Sequence, residues 1–275
     1  MRPVLDFIQS QWGVADIERA FPVQQWDTLV DLALKDLLRE VQGAFEFPFC
    51  MRLVGQSGSG KTTQLLPAVK HLFEERGINA IELSVRKFVK YHPHLDAIRA
   101  NYGEALLREN TNAFALSLLT RVLPKLLPYR YPIIFEVTLL SPVYEAYVQS
   151  LLQAHHYACD YQCLAITQAD SDAWIQARCQ STQRRVLIKS SQFFFKTLEP
   201  ALHFLQTAAL NSRCFIWNRY RLEPLVISSK DPDLLVRFEE MRADKCDAAP
   251  SLDLLLASKM KFLEEFYRTH PMICD

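Results

Sequence analysis

The run Gly55-Gln56-Ser57-Gly58-Ser59-Gly60-Lys61-Thr62 has the spacing of a phosphate-binding loop. Its glycines let successive backbone N–H groups turn to one side, and such a nest of amides binds anionic oxygens. A helix that begins near Lys61 adds the positive end of its dipole. Lys61 supplies a point charge for the β- and γ-phosphates, and the Thr62 hydroxyl is a ligand for Mg2+. The apolar run Phe49–Val54 before the loop reads as a buried strand. Strand, loop and helix together predict ATP or GTP binding with Mg2+ by Gly55 through Thr63. The reaction is not named by this loop, because kinases, NTPases and switches all use it.

Other residues bear on the same chemistry. Glu136 ends the apolar run Ile133-Ile134-Phe135, and a carboxylate at a buried strand end must be paired, liganded or protonated. Its functional readings are substrate anchor, magnesium partner or base, and a structural ion pair is the plain alternative. Arg178 and Arg185 stand seven apart, so one continuous helix puts both on one face. Fixed positive charge suits a phosphoryl group in transfer; solvated surface arginines are the ordinary reading. His92-Pro93-His94 reads as a turn shaped by Pro93 before it reads as a base or ligand. Phe193-Phe194-Phe195 reads as core. Cys159 and Cys163 could share one helix face, but no second pair follows at zinc spacing, so no metal site is expected.

The elements that position these groups alternate. Strands are predicted at Phe49–Val54, Asn79–Ser84, Pro132–Val137, Tyr161–Thr167, Arg213–Trp217 and Leu225–Ser228. The last two close as a hairpin around Asn218–Pro224. Helices are predicted over 4–42, 61–75, 95–127 with a break at Tyr102-Gly103, 142–156, 171–187, 197–210 and 251–268. Such alternation implies an α/β fold of the P-loop kinase type, a parallel sheet flanked by helices. Ligands bind beyond the carboxyl ends of such strands, where Gly55, Ser84 and Thr138 are expected to gather. Helical extensions are predicted at 1–44 and 231–275, around a kinase domain at 45–230.

Composition sets the outer bounds. The 275 residues are 49% hydrophobic and 23% charged, with a net charge of zero, so no global field favours nucleic acid or an anionic membrane. The chain has no apolar run long enough to span a bilayer and no secretory pattern at its start. The seven cysteines are scattered and odd in number. Reduced thiols in a bacterial cytoplasm are the expectation.

Beyond the loop, several segments resemble the zeta toxin family of bacterial kinases. Arg86-Lys87-Phe88-Val89-Lys90-Tyr91-His92-Pro93 is similar to the family's "DxxRxxHP" segment, with Tyr102-Gly103-Glu104 downstream. Ile133-Ile134-Phe135-Glu136-Val137-Thr138 is similar to its strand ending in "EGT". Arg178, Arg184 and Arg185 lie where the family has its lid arginines, and Trp217-Asn218-Arg219-Tyr220 resembles its "YNR". The resemblance spans about residues 45–230. It implies ATP- or GTP-dependent phosphorylation of a hydroxyl on a small molecule, a UDP-linked amino sugar in known members. It also implies silencing by a helix of an antitoxin-like protein inhibitor. By the same resemblance Glu136, Thr138 and the Arg86 position serve the acceptor substrate.

The acceptor end departs from the family pattern. The family's base is an aspartate, and that position is Arg86 here; its arginine is Val89, and Val137 replaces a glycine. An arginine cannot act as the base at neutral pH. The reading is therefore a kinase with a rebuilt acceptor site, which leaves Glu136 or Glu82 as base. The alternatives are a nucleotide-binding pseudokinase and a P-loop NTPase switch.

Overall fold

The computed structural model describes residues 23–39, 41, 48–136, 141–182, 188–207, 212–244 and 250–272. The chain enters through α1 (Val23–Arg39) and β1 (Phe49–Val54), whose six residues are all buried. One wide, π-type turn over Lys61–Leu65 leads into α2 (Leu66–Glu75). Next come β2 (Ile81–Ser84), the short α3 (Val85–Phe88) and the long α4 (Leu95–Leu126). Gly103 breaks α4 with φ 70°, a left-handed value that glycine tolerates without steric cost. After β3 (Ile133–Glu136) follow α5 (Pro142–Ala154), β4 (Ala158–Ala165), α6 (Gln168–Thr182) and α7 (Ile188–Thr207). The chain closes through β5 (Arg213–Asn218), β6 (Leu225–Ser228), α8 (Leu234–Ala243) and α9 (Leu252–Thr269).

The sheet order is β2-β3-β1-β4-β5-β6. All pairs are parallel except β5 with β6, which are antiparallel. β1 lies between β3 and β4 and brings Leu53 level with Glu136 and Gln162. Ser84 at the end of β2 is the register partner of Glu136.

Each sheet face has its own apolar layer, as a two-sided parallel sheet requires. On one face Cys50, Val54, Phe135, Tyr161 and Cys163 meet Trp26, Phe114, Tyr144, Leu198 and Phe238 from the helices. On the other, Met51, Leu53, Ile134, Leu164, Phe215 and Trp217 meet Leu65 of the wide turn, Leu66, Val69, Leu72 and Phe73 of α2, and Leu263 and Tyr267 of α9. Both terminal helices are thus built into the core. α1 stacks Trp26 on Phe114 at 5.2 Å, and α9 donates the Tyr267 hydroxyl to Asp160 at 2.6 Å. Asp160 also pairs with Arg213 at 2.7 Å, fastening the amino end of β4 to β5.

Several elements differ from the sequence expectations. β2 begins at Ile81 and β4 at Ala158, α3 was not expected, and α8 falls inside the helical extension predicted at 231–275, where only a helix over 251–268 was given bounds. Cys159 and Cys163 lie on β4 rather than on a helix, and both are buried. No cluster of three metal-ligating side chains occurs among the described residues. None of the described helices is long and apolar enough to cross a membrane.

Candidate functional site

The phosphate loop follows β1 at the carboxyl edge of the sheet. Gly55, Gly58 and Gly60 have φ of 149°, 76° and 105°. At Gly58 the demand is also spatial: a Cβ there would lie 2.7 Å from the Ser171 carbonyl oxygen, so any side chain would push α6 away. The Lys61 ammonium folds back over the loop. It donates to the Gly55 carbonyl and, at 2.8 Å, to that of Gln56. The loop is thereby closed around its own lysine, ready to exchange those carbonyls for anionic oxygens.

The loop is fastened from outside as well. The Gln56 amide donates to the Ile166 carbonyl at 3.1 Å and the Thr167 carbonyl at 3.3 Å, tying the loop to the chain after β4. The Ser171 hydroxyl donates to the Ser57 carbonyl at 2.5 Å. Arg219, just past β5, donates to the Gly58 carbonyl at 2.7 Å and stacks 3.7 Å over the Trp174 ring. These bonds turn the carbonyls of residues 57 and 58 outward, the orientation that leaves neighbouring amides free to face a ligand. Burial pushes the pKa of Arg219 down from its usual value. It remains a cation, since arginine titrates far above neutrality.

Thr62 and Glu136 meet across the edge of the sheet. The Thr62 hydroxyl donates to Glu136 Oε1 at 2.5 Å. A hydroxyl and a carboxylate at this spacing are hard oxygen donors that suit Mg2+, so the residues present fit the ion. Ser84 stands beside Glu136, and its buried Oγ has no partner among the described residues. The Glu136 reading as a structural ion pair is not met among the described residues; its partner is Thr62.

The remaining sequence candidates divide. Arg86 lies on α3 with an exposed side chain. It makes no bond to Glu136 or any other described group. Glu82 is not available as a base. It points toward α2 and pairs with Lys70, and with Lys87 at 3.5 Å. Burial raises its pKa, but the lysines outweigh burial and hold it below the usual carboxylate value. Arg178 lies on α6, which ends at Thr182. Its side chain, Arg184, Arg185 and Thr138 lie outside the described residues, as do Phe193 to Phe195 as side chains. His92 is a turn residue: its ring packs 4.5 Å from Phe114, and its Nδ1 accepts the His94 amide at 3.1 Å.

The segment from Arg86 to Pro93 is clamped to α1. Asp36 accepts the Tyr91 hydroxyl at 2.9 Å and the Lys90 ammonium at 3.2 Å. Bonds from Tyr91 and then Lys90 hold the Asp36 carboxyl below its usual pKa.

Sequence reasoning assigned no role to Ser171 or Trp174, and quoted Arg219 only within the stretch that resembles the family's "YNR". One signal was present: Arg219 follows a strand that ends at the same edge as the loop. Lys259 was missed too, although Leu255, Lys259, Leu263 and Tyr267 form one i, i+4 row on α9 in which a lysine is out of place.

The sequence model of the family described as Zeta toxin matches residues 35–224, which takes in the loop, Glu136 and Arg219. The chain belongs to the zeta toxin family. Its fold is also similar to a chain from the PezAT chromosomal toxin-antitoxin system of Streptococcus pneumoniae. That match has 22% identity and a TM-score of 0.66, over 90% of this chain and 98% of the other. A chain of the AvrRxo1-ORF1:-ORF2 structure with ATP matches at 13% identity and a TM-score of 0.53, over 88% and 84% of the two chains. No curated protein matches this sequence at a significant level. This zeta toxin family member therefore shares the P-loop kinase fold, and the loop, Thr62 and Glu136 stand together at its carboxyl edge.

Proposed function

We propose that the protein is a nucleotide-dependent kinase that transfers the γ-phosphoryl group of ATP or GTP to a hydroxyl of a small molecule. The observation that carries this reading is the 2.5 Å contact between Thr62 and Glu136. It puts a carboxylate at the end of β3 within reach of a nucleotide held on the loop, with Lys61 on the phosphate side. Gly55, Gln56, Ser57, Gly58, Ser59, Gly60 and Thr63 form the cradle. Thr62, with Glu136 behind it, would hold Mg2+, which neutralises phosphate charge when bound. Glu136 takes the acceptor proton as the hydroxyl oxygen attacks. In this reading Ser84, level with Glu136 on β2, faces the acceptor, and the exposed Arg86 meets an anionic part of it. Thr138 and the lid arginines Arg178 and Arg185 complete the assignment. A UDP-amino sugar is the acceptor that the family resemblance gives, and an antitoxin-like protein inhibitor is the partner. The PezAT system and the AvrRxo1-ORF1:-ORF2 complex support a protein partner of this kind.

A second reading, a nucleotide-binding pseudokinase, is favoured by two observations. The family's aspartate position holds Arg86, and the nearby Glu82 is engaged by lysines. One experiment separates the two. Purified protein is incubated with Mg2+, labelled ATP or GTP, and a UDP-amino sugar or a metabolite extract, and phosphorylated products are followed by mass spectrometry. A labelled acceptor that disappears with Lys61→Ala supports the kinase. Binding of nucleotide without any transfer, in every extract tried, leaves the pseudokinase.

A further inference from the structure

Lysine is almost never fully buried without an opposing charge. Lys259 of α9 is 0% exposed. An ammonium has three protons to donate, yet among the described residues its one hydrogen-bond partner is the carbonyl of Arg221 at 3.2 Å. Its other neighbour is the Trp217 ring, 4.9 Å away at the centroid, a contact that favours a cation but neutralises nothing.

The charged groups around Lys259 do not compensate it. The charge it feels is that of Arg219, which is of the same sign. The Arg221 guanidinium is paired with Asp244. On α9 itself, Glu264 bonds His71 of α2 at 2.7 Å, and Glu265 lies 3.9 Å from Lys261. Lys61, on the wide turn against which α9 packs, is turned to the Gly55 and Gln56 carbonyls. Among the described residues no carboxylate pairs with Lys259. Burial first, and Arg219 second, bring its pKa down to about 8.

Arg219 links this lysine to the loop through its bond to the Gly58 carbonyl. Lys259 thus lies against Trp217 and Arg221, the residues two before and two after Arg219, while Arg219 itself bonds the loop. Buried like charges are costly unless an anion completes them. We propose that the phosphates of a bound nucleotide supply the missing negative charge for Arg219 and Lys259, so that binding at alkaline pH draws a proton from the buffer onto the protein. The inference rests on the nucleotide reading above. Lys259 is a positioning residue in this scheme: it touches neither phosphate nor acceptor and acts through Arg219 and the loop.

Calorimetric titration with Mg-ATP in two buffers of unequal ionisation enthalpy counts the protons taken up. Wild type is expected to take up little at about pH 7.5 and a large fraction of one proton at about pH 9, with affinity roughly tenfold weaker at the higher pH. Lys259→Met should remove both the uptake and the pH dependence. Lys259→Arg should keep the charge, and with it the affinity, at both values. The wild-type proton count needs no variant to fold. Binding with no proton uptake, or the same uptake in Lys259→Met, overturns the proposal and leaves nucleotide binding standing. Absence of binding at either pH removes the nucleotide reading and this inference with it.

Discussion

Thr62 donates its hydroxyl proton to Glu136 at 2.5 Å, joining the turn after the phosphate loop to the carboxyl end of β3. One hydroxyl can serve two partners at once, since its proton goes to the carboxylate while its lone pairs remain for a cation. Glu136→Gln keeps the size and an acceptor for Thr62 but removes the charge. If Glu136 is the base, turnover should fall by roughly 10²–10⁴-fold, with nucleotide affinity changing far less. Steady-state rates beside calorimetric binding give the comparison. Wild-type turnover in Glu136→Gln would take this carboxylate out of the chemistry.

Lys61 holds the Gly55 and Gln56 carbonyls in this structure. A lysine so placed both shapes the loop and charges it. Lys61→Ala is expected to abolish measurable binding of Mg-nucleotide while the protein still melts in one cooperative transition. Binding unchanged in that variant would sink the assignment of the phosphate site.

Arg86 is exposed at the start of the acceptor segment and bonds no described group. Its removal should therefore cost little stability. In the kinase reading, Arg86→Ala raises the acceptor KM and leaves ATP affinity as it was. In the pseudokinase reading, Arg86→Asp restores a carboxylate at the family's position and creates transfer where there was none. Product formation in the two variants, side by side, decides which holds.

The parts of this fold that could be read early were those with a local cause. Phe49–Val54 and Leu225–Ser228 are apolar runs bounded by breakers, and both strands lie where expected. The break at Gly103 was legible for the same reason. β4 was misplaced at its start because Asp160 looks like a loop residue. It is buried there only because Arg213 and Tyr267 meet it from far along the chain. No separate helix is legible at α8, because Asp231-Pro232-Asp233 announces a turn and mixed charges follow. Within the site, the loop was legible from spacing alone. The contact of Thr62 with Glu136 was not, since it needs β3 beside β1, and periodicity carries no strand order. The hold of Ser171 and Arg219 on the loop depends on the same tertiary adjacency.

Arg52 and Glu145 form a fully buried ion pair at 2.9 Å between β1 and α5. The Arg52 guanidinium also lies over the rings of Phe135 and Tyr161, at 4.7 and 5.6 Å. Its Nε and Nη1, and Glu145 Oε2, have no hydrogen-bond partner among the described residues. Such a pair is costly to bury and costlier to break. Arg52→Met alone should destabilise by about 3–5 kcal/mol, because it strands the Glu145 charge. Arg52→Met with Glu145→Leu should recover most of that loss. Urea unfolding of the three proteins tests the pair, and additive losses in the double variant would show that the two residues act independently.

His92 gives the structure an acid-sensitive point in the turn before α4. It is 6% exposed, packs against Phe114, and uses Nδ1 as an acceptor for the His94 amide. Protonation would abolish that acceptor. Burial first, and His94 second, push its pKa down from 6.5 to about 4. In the unfolded chain the ring takes its proton near pH 6.5. Between these values the unfolded state binds more protons than the folded one, so stability falls as pH drops through the window and levels off below about 4. The loss from this residue should be about 3 kcal/mol. His92→Asn does not titrate there, so it should start less stable at neutral pH and lose less on acidification. Urea midpoints of wild type and variant at several pH values between neutrality and about pH 4 measure the difference. A gap that stays constant across that range would mean that His92 takes up its proton in the folded state as readily as in the unfolded chain.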